Sequence, residues 1–433
     1  MTYTGARTAM GGGLGKSPPP GDRFDVKVFD GKPSLISGVI NWVLNDPRWV
    51  YALLRRFAPV LTFGNWAAVT RYDDVEDMLR RDAVFAVPFG PKIELLNDGP
   101  NFILGMANGP DYRAERAQTA AAFPASDNAD FVAPISARAA ADLVAASRGR
   151  LDAIEDLITR VPTRVCEQYY GVAVEYEVRF SQLAIAMSTF MFGDPTDNPV
   201  IRDQAIKAGN EFRPIIQAAI DSARGAPGPV NTVTRRLLAE RTADGQPLPD
   251  PVIASVLIGM ITGFVPTNTM AAGHMLEMLL RRPDFMGEAA AAAREGDDDW
   301  LWKCLWEAFR FLPLNPGPFR VCGEDAIVAA GTPRAKMLRK GTKLLPGTHS
   351  AMFDPRRIVR PNDFDPSRPA DNYMMFGVGL HWCIGAPLAE AQITQTLKPL
   401  LAKRNLRRAH GAAGRLSKIG PFPAHLIVEF DPD

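Results

Sequence analysis

The sequence predicts a mostly α-helical protein carrying a small β-rich lobe. Three observations lead there. Apolar residues recur at helical spacing from Phe131 to Arg235, broken only by turn residues at Gly171, at Gly193 to Pro199 and at the GAPGP run after Arg224. A second helical pattern, the longest in the chain, runs from Pro249 to Arg282. Short alternating runs punctuated by glycine occur from Val60 to Thr70 and again after Arg320.

Composition narrows the functional classes. The 433 residues are 46% hydrophobic and 22% charged, ordinary for a globular protein. A net charge of +1, with Lys and Arg scattered, gives no electrostatic footprint for nucleic acid or an anionic membrane. The four cysteines, Cys166, Cys304, Cys322 and Cys383, form no C-x-x-C pair and no zinc spacing, so reduced, cytoplasmic thiols are expected. Five dispersed histidines argue against a multi-histidine metal centre. The start of the chain lacks an apolar core of signal-peptide length, and no long uninterrupted apolar run follows.

Taken in order, residues 1–22 are rich in Gly and Pro and read as a disordered tail, leaving 23–433 as one domain. Pro33 to Ala58 suggests one or two short helices. Val60 to Phe63 and Trp66 to Thr70 form a hairpin closed by Gly64-Asn65, and Asp73 caps a helix through Arg81. Phe85 to Phe102, with Pro88, Pro91 and Pro100, reads as a loop. Asn108 to Phe123 enters an Ala-rich helix on which Tyr112 and Arg116 share a face. In Trp306 to Arg320, Glu307 and Arg310 can pair on one helix face. Glycine turns at Gly331, Gly341 and Gly347 then mark a β-region. Ala386 to Ala402 is helical, and 404–433 holds short strands.

Within the Pro249–Arg282 helix stands Pro266. Proline removes one N–H and crowds the carbonyl four residues back, here that of Thr262, so the helix should open or kink there. Gly263 leaves room beside it.

The chemistry concentrates in FGVGLHWCIG, Phe376 to Gly385. A single cysteine is ordinarily a small buried hydrophobe. Here Gly377, Gly379 and Gly385 let the backbone turn and let a flat group approach, Phe376 can pack on the sulfur, and His381 can donate to an anion. A helix begins after Gly385, with Pro387 in its first turn. A thiolate at a helix N-terminus is favoured by the macrodipole and free N–H groups. This stretch resembles the haem-ligand loop of the cytochrome P-450 family, F-x-x-G-x-H-x-C-x-G, with every fixed position filled.

The resemblance implies the cytochrome P-450 fold, with haem b between a distal and a proximal helix and Cys383 on the iron. It implies that Tyr112, Arg116, Arg320 and His381 serve the haem propionates, alongside Phe376, Gly377 and Gly385 of the loop. Glu307 and Arg310 would form the buried network that holds the proximal scaffold. The family's distal helix carries an acid followed by a threonine. Alignment on Pro283 puts Thr267 in the threonine's place, Gly263 in that of the small residue and Phe264 in that of a glycine. Pro266 then replaces the acid. Thr267 and Asn268 can orient a water but cannot supply a proton as an acid does. A shift of register would bring Thr262 or Thr269 to the site instead. Phe85, Phe89, Ile93, Phe264, Leu314 and Phe422 are candidate pocket residues, with core packing the alternative.

The implied activity is insertion of one oxygen atom from O2 into an apolar organic substrate. Electrons would come from a ferredoxin and its reductase, since no flavin or iron–sulfur segment is present. A peroxide-dependent peroxygenase or hydroperoxide isomerase is the alternative that Pro266 raises. A haem-binding sensor or carrier without turnover is the third.

Overall fold

The computed structural model describes residues 47–195, 197–225, 231–242 and 244–432. The tail expected over 1–22, and the helical pattern from Pro33 up to residue 46, lie outside them. The first helices are α1 (Arg48–Phe57), α2 (Tyr72–Arg80), α3 (Gly90–Asn97), α4 (Pro110–Ala122), α5 (Ala133–Ala146), α6 (Arg160–Val165) and α7 (Glu177–Ser188). Then follow α8 (Pro199–Gly225), α9 (Val233–Ala239), α10 (Asp250–Arg281), α11 (Pro283–Glu295), α12 (Asp298–Phe311), α13 (Thr348–Ala351) and α14 (Ala386–Leu401).

The largest sheet has the strand order β1 (Val60–Phe63), β2 (Trp66–Val69), β8 (Lys343–Pro346), β5 (Arg320–Cys322) and β3 (Phe85–Ala86). The β1–β2 hairpin pairs Val60 with Val69 and Phe63 with Trp66, as its Gly-Asn turn predicts. The chain returns almost three hundred residues later to lay β8 parallel to β2. Smaller ladders join β6 (Ala326–Val328) to β7 (Lys336–Leu338) and β10 (Ser417–Ile419) to β11 (Phe422–His425). A third ladder sets β12 (Ile427–Glu429) between β4 (Arg150–Asp152) and β9 (Arg407–Arg408).

Four local expectations change. Asp73 lies in the first turn of α2, whose N-cap is Arg71; its carboxylate favours the helix N-terminus without capping it. The presumed loop over 85–102 contains β3 and α3. Pro91 fits the first turn of α3, where a missing N–H costs nothing. Gly347 caps α13 rather than closing a hairpin. At Pro266 the helix does not open: α10 is continuous from Asp250 to Arg281. It ends where Pro283 drives Arg282 to an extended conformation, φ −127° and ψ 94°.

Two apolar cores organise the packing, and two helices cross between them. Residues of α10 from Ile253 to Val265 belong to one core and those from Ala271 to Leu279 to the other. Leu388 of α14 joins the first of these, while Ala389, Ile393 and Leu397 join the second. Thr267 and the start of α14, just after Cys383, therefore both lie at the junction of the cores. Among the described residues α10 is the one helix long and apolar enough to cross a membrane. Its most apolar window is 72% buried inside the protein.

Candidate active site

The Cys383 loop is shaped by its backbone. The N–H of Cys383 donates to the Phe376 carbonyl at 3.0 Å, and that of Trp382 to Gly379 at 3.1 Å. Closing so tight a turn takes Gly377 to φ +76° and Gly379 to φ +78°, a region that L side chains avoid. Gly385 is different: at φ −83° it is the N-cap of α14. Phe376 stacks on Trp306 of α12 with ring centroids 4.5 Å apart, and Trp306 stacks on Trp302 at 5.0 Å. An aromatic column thus props the loop on the helix beneath it.

Cys383 is exposed, yet protein crowds its sulfur so closely that burial pushes the thiol pKa up. Both hold if the sulfur sits at the bottom of an opening. The N–H groups of Gly385 and Ala386 and the charge of Arg116 pull the pKa back down. A metal cation in the opening would supply the charge that deprotonates the thiol outright.

A polar cluster surrounds the loop. Tyr112, 1% exposed, donates its hydroxyl to the Leu380 carbonyl at 2.9 Å and meets the His381 ring edge-on at 5.3 Å. Arg116 donates to the Tyr112 hydroxyl and the Trp382 carbonyl, each at 3.2 Å. Arg320, at the start of β5, donates one Nη to the Phe319 carbonyl, while its buried Nε has no partner among the described residues. Burial lowers the Arg320 pKa to about 10, against the attraction of Asp82. Burial likewise lowers the His381 pKa to about 4, helped by Arg320 and Arg116 and opposed by Asp82. So His381 is neutral, and a buried arginine has donor capacity to spare. An incoming anion would satisfy it.

On α10, Gly259, Gly263 and Thr267 recur every four residues and are partly open, while Thr262, Phe264, Val265, Pro266 and Asn268 are buried. A Cβ on Gly263 would meet nothing within 4 Å, so open space lies in front of it. At Gly259 a Cβ would collide with the Phe102 ring, which fills that end of the stripe. Thr267 donates its hydroxyl to the Gly263 carbonyl. The other threonines are not on the stripe: Thr262 is bonded to the Ile258 carbonyl at 2.6 Å, and Thr269 is buried.

Two expectations for α10 need correction. Asn268 does not join Thr267; its amide donates to Gln392 of α14 at 2.8 Å, tying the two helices together. Phe264 turns from the stripe onto Tyr170, centroids 5.8 Å apart, because one residue rotates a helix by about a quarter turn. The remaining pocket candidates separate. Phe89 and Ile93 lie in the core of the first half of α10, Phe89 edge-on to Phe192 at 5.6 Å. Phe85 is fully buried in the other core beneath the Arg81 guanidinium, and Leu314 packs against that core. Phe422 is buried at the start of β11, whose Pro423 abuts Gly273 of α10.

Glu307 and Arg310 are both fully buried and bonded through two oxygens, at 2.6 and 2.8 Å. The carboxylate also receives Arg368 Nε at 3.1 Å, the Tyr373 hydroxyl at 3.0 Å and the Asp365 N–H at 3.1 Å. Arg310 and Arg368 spend their other donors on the carbonyls of Met352, Val359, Arg360, Pro361 and Asp363. This network clamps the segment leading into the Cys383 loop onto α12. Tyr373, Trp306 and Asp82 escaped the sequence reading, since only the folded chain brings them to these partners.

Comparison with known proteins agrees with this geometry. Residues 221–413 match the family model described as Cytochrome P-450. The erythromycin C-12 hydroxylase of Saccharopolyspora erythraea is 26% identical over 343 residues, 79% of this chain and 82% of that protein. The cyclomarin C epoxidase CymV of Salinispora arenicola is 27% identical over 263 residues, 60% and 63% of the two chains. The solved structure of CalO2 superposes with a TM-score of 0.75 at 22% identity, covering 90% of this chain and 97% of that one, a likeness of fold. An iron porphyrin also fits the residues present. Cys383 would hold its iron, Arg320 would pair with its acidic groups, and the space before Gly263 would leave room for a small ligand. The chain is similar to cytochrome P-450 oxygenases over residues 221–413 and shares their fold, and Cys383 stands where such a protein would hold the iron of haem b.

Proposed function

We propose that this protein inserts one atom of dioxygen into a C–H or C=C bond of an apolar organic substrate, with electrons from a ferredoxin-type donor. The observation that carries the reading is the cysteine sulfur with the N–H groups of Gly385 and Ala386 beside it at the start of α14, a helix that packs on α10, where open space lies before Gly263. The relatives named above are a hydroxylase and an epoxidase, and either reaction adds one oxygen. A thiolate-ligated haem supplies the chemistry, its sulfur donating electron density that favours O–O cleavage.

The chain's own residues do the rest. Tyr112, Arg116, Arg320 and His381 hold the propionate edge. Arg320 offers charge and Nε, while the neutral His381 offers a ring nitrogen. Phe376, Gly377 and Gly385 shape the floor of the site. Gly263 leaves room for a small ligand, and Thr267 holds a hydroxyl beside it. Trp382, 42% exposed beside Cys383, offers the electron donor a contact. Residues 23–433 act as one cytoplasmic domain.

Pro266 favours a second reading, in which a peroxide or hydroperoxide is the oxidant and no reductase is needed. Feeding the haem-loaded protein either a ferredoxin/reductase system or hydrogen peroxide, with a panel of apolar compounds, separates the two. Product with the reductase and little with peroxide is expected; turnover on peroxide alone would reverse the assignment.

A further inference from the structure

Pro266 leaves the open stripe of α10 without an acid, yet a buried carboxyl group lies on α4, beside the turn whose Phe102 packs on Gly259. Glu115 lies on α4 between Tyr112 and Thr119, next to Arg116. Its two helix neighbours fix one side: Tyr112 reaches the Leu380 carbonyl and Arg116 the Trp382 carbonyl, both in the Cys383 loop. The turn Ile103–Gly105 fixes the other, because the Ile103 N–H lies close enough to the Glu115 carboxyl to favour its charged form. That turn is strapped to α10. Ser255 donates its hydroxyl to the Asn101 carbonyl at 2.7 Å, and the Phe102 ring rests on Gly259, one turn before Gly263. Glu115 is thus bracketed by the cysteine loop and the distal helix.

Its surroundings are apolar. Phe102 and Ile103 are each 4% exposed. The Oε1 atom is buried and has no hydrogen-bond partner among the described residues. A buried, unsatisfied carboxyl oxygen calls for a proton, a water or a ligand. Burial raises its pKa to about 7, opposed only by the Ile103 N–H. A general acid works best with a pKa near the operating pH.

We propose that Glu115 supplies the proton that the family takes from the residue replaced here by Pro266. In this role the protonated carboxyl gives its O–H proton to a water reaching the space before Gly263 and Thr267. The carboxylate left behind regains a proton from solvent. The inference rests on the oxygenase reading above and places the acid on α4 instead of α10.

The test uses the full-length, haem-loaded protein with a ferredoxin, its reductase and one substrate that the wild type turns over. Glu115→Gln keeps the shape and removes the acid. The expected result is a drop of roughly a hundredfold in product formed per electron pair, the low end for loss of a general acid. Hydrogen peroxide release should rise to match, with haem content and substrate affinity within twofold of wild type. Glu115→Gln combined with Pro266→Glu should recover part of the coupling. A readout independent of turnover is the infrared carboxyl band. Wild type should show a buried C=O stretch that titrates near neutral pH and is missing in Glu115→Gln. Coupling equal to wild type in Glu115→Gln, or loss of substrate affinity alone, overturns the proposal. Failure of the wild type to turn over with any reductase would overturn the oxygenase reading itself.

Discussion

Single side chains in this protein hold unusual protonation states because the fold denies them water. His274 is 3% exposed on α10, and burial, helped by the charges of Lys418 and Arg281, depresses its pKa to about 3 despite the nearby carbonyls of Leu312 and Pro313. The unfolded chain takes up a proton at this residue below about pH 6.5, whereas the folded protein does not until far lower. Stability should therefore fall as pH drops through that window, by about 2 kcal/mol at pH 5 from this residue alone. Denaturant melts of His274→Asn at pH 7 and pH 5 should show a shallower loss than wild type; equal slopes would mean the ring finds a partner for its proton. Glu307 poses the opposite case. It is fully buried and answers two arginines, so Glu307→Ala would strand both charges. A loss of roughly 3–5 kcal/mol is expected, with poor haem retention. An unfolding midpoint unchanged from wild type would show the network to be dispensable.

At the scale of elements, α10 carries the largest departure from expectation. Its proline was legible in the sequence, and so was the penalty at Thr262, but not the outcome. Both ends of the helix are buried in separate cores, and that packing holds the backbone helical through residue 266. Pro266→Ala restores one N–H to an unbroken helix, so it should stabilise the protein by about 1–3 kcal/mol in thermal or denaturant unfolding. A destabilised variant would show that the helix depends on the proline. The cysteine loop was the most readable element, because its glycines, histidine and cysteine sit at fixed offsets within ten residues. The helices on either side of it followed from periodicity and proline placement. Between 85 and 102, three prolines hid a helix, since Pro91 occupies the one turn where proline is harmless. The pocket was least readable. Whether Phe264 meets a substrate or Tyr170 depends on rotation about the helix axis, which an aromatic residue in an apolar run does not declare. Asn268 looked polar and well placed for the same reason, and instead serves the contact with Gln392.

For the whole molecule, the two cores meet along α10 and α14, and the site lies at that seam. The Cys383 sulfur, the open space before Gly263 and the unpartnered Nε of Arg320 are the features a haem at that seam would use. The central claim is the bond between the Cys383 sulfur and iron. It is tested most directly by the absorption spectrum of the dithionite-reduced, haem-loaded protein under carbon monoxide, beside Cys383→Ser. Thiolate ligation predicts a strongly red-shifted Soret band in the wild type and its absence in the variant. A wild-type band at the position given by nitrogen or oxygen ligands, unchanged by the substitution, would contradict the account.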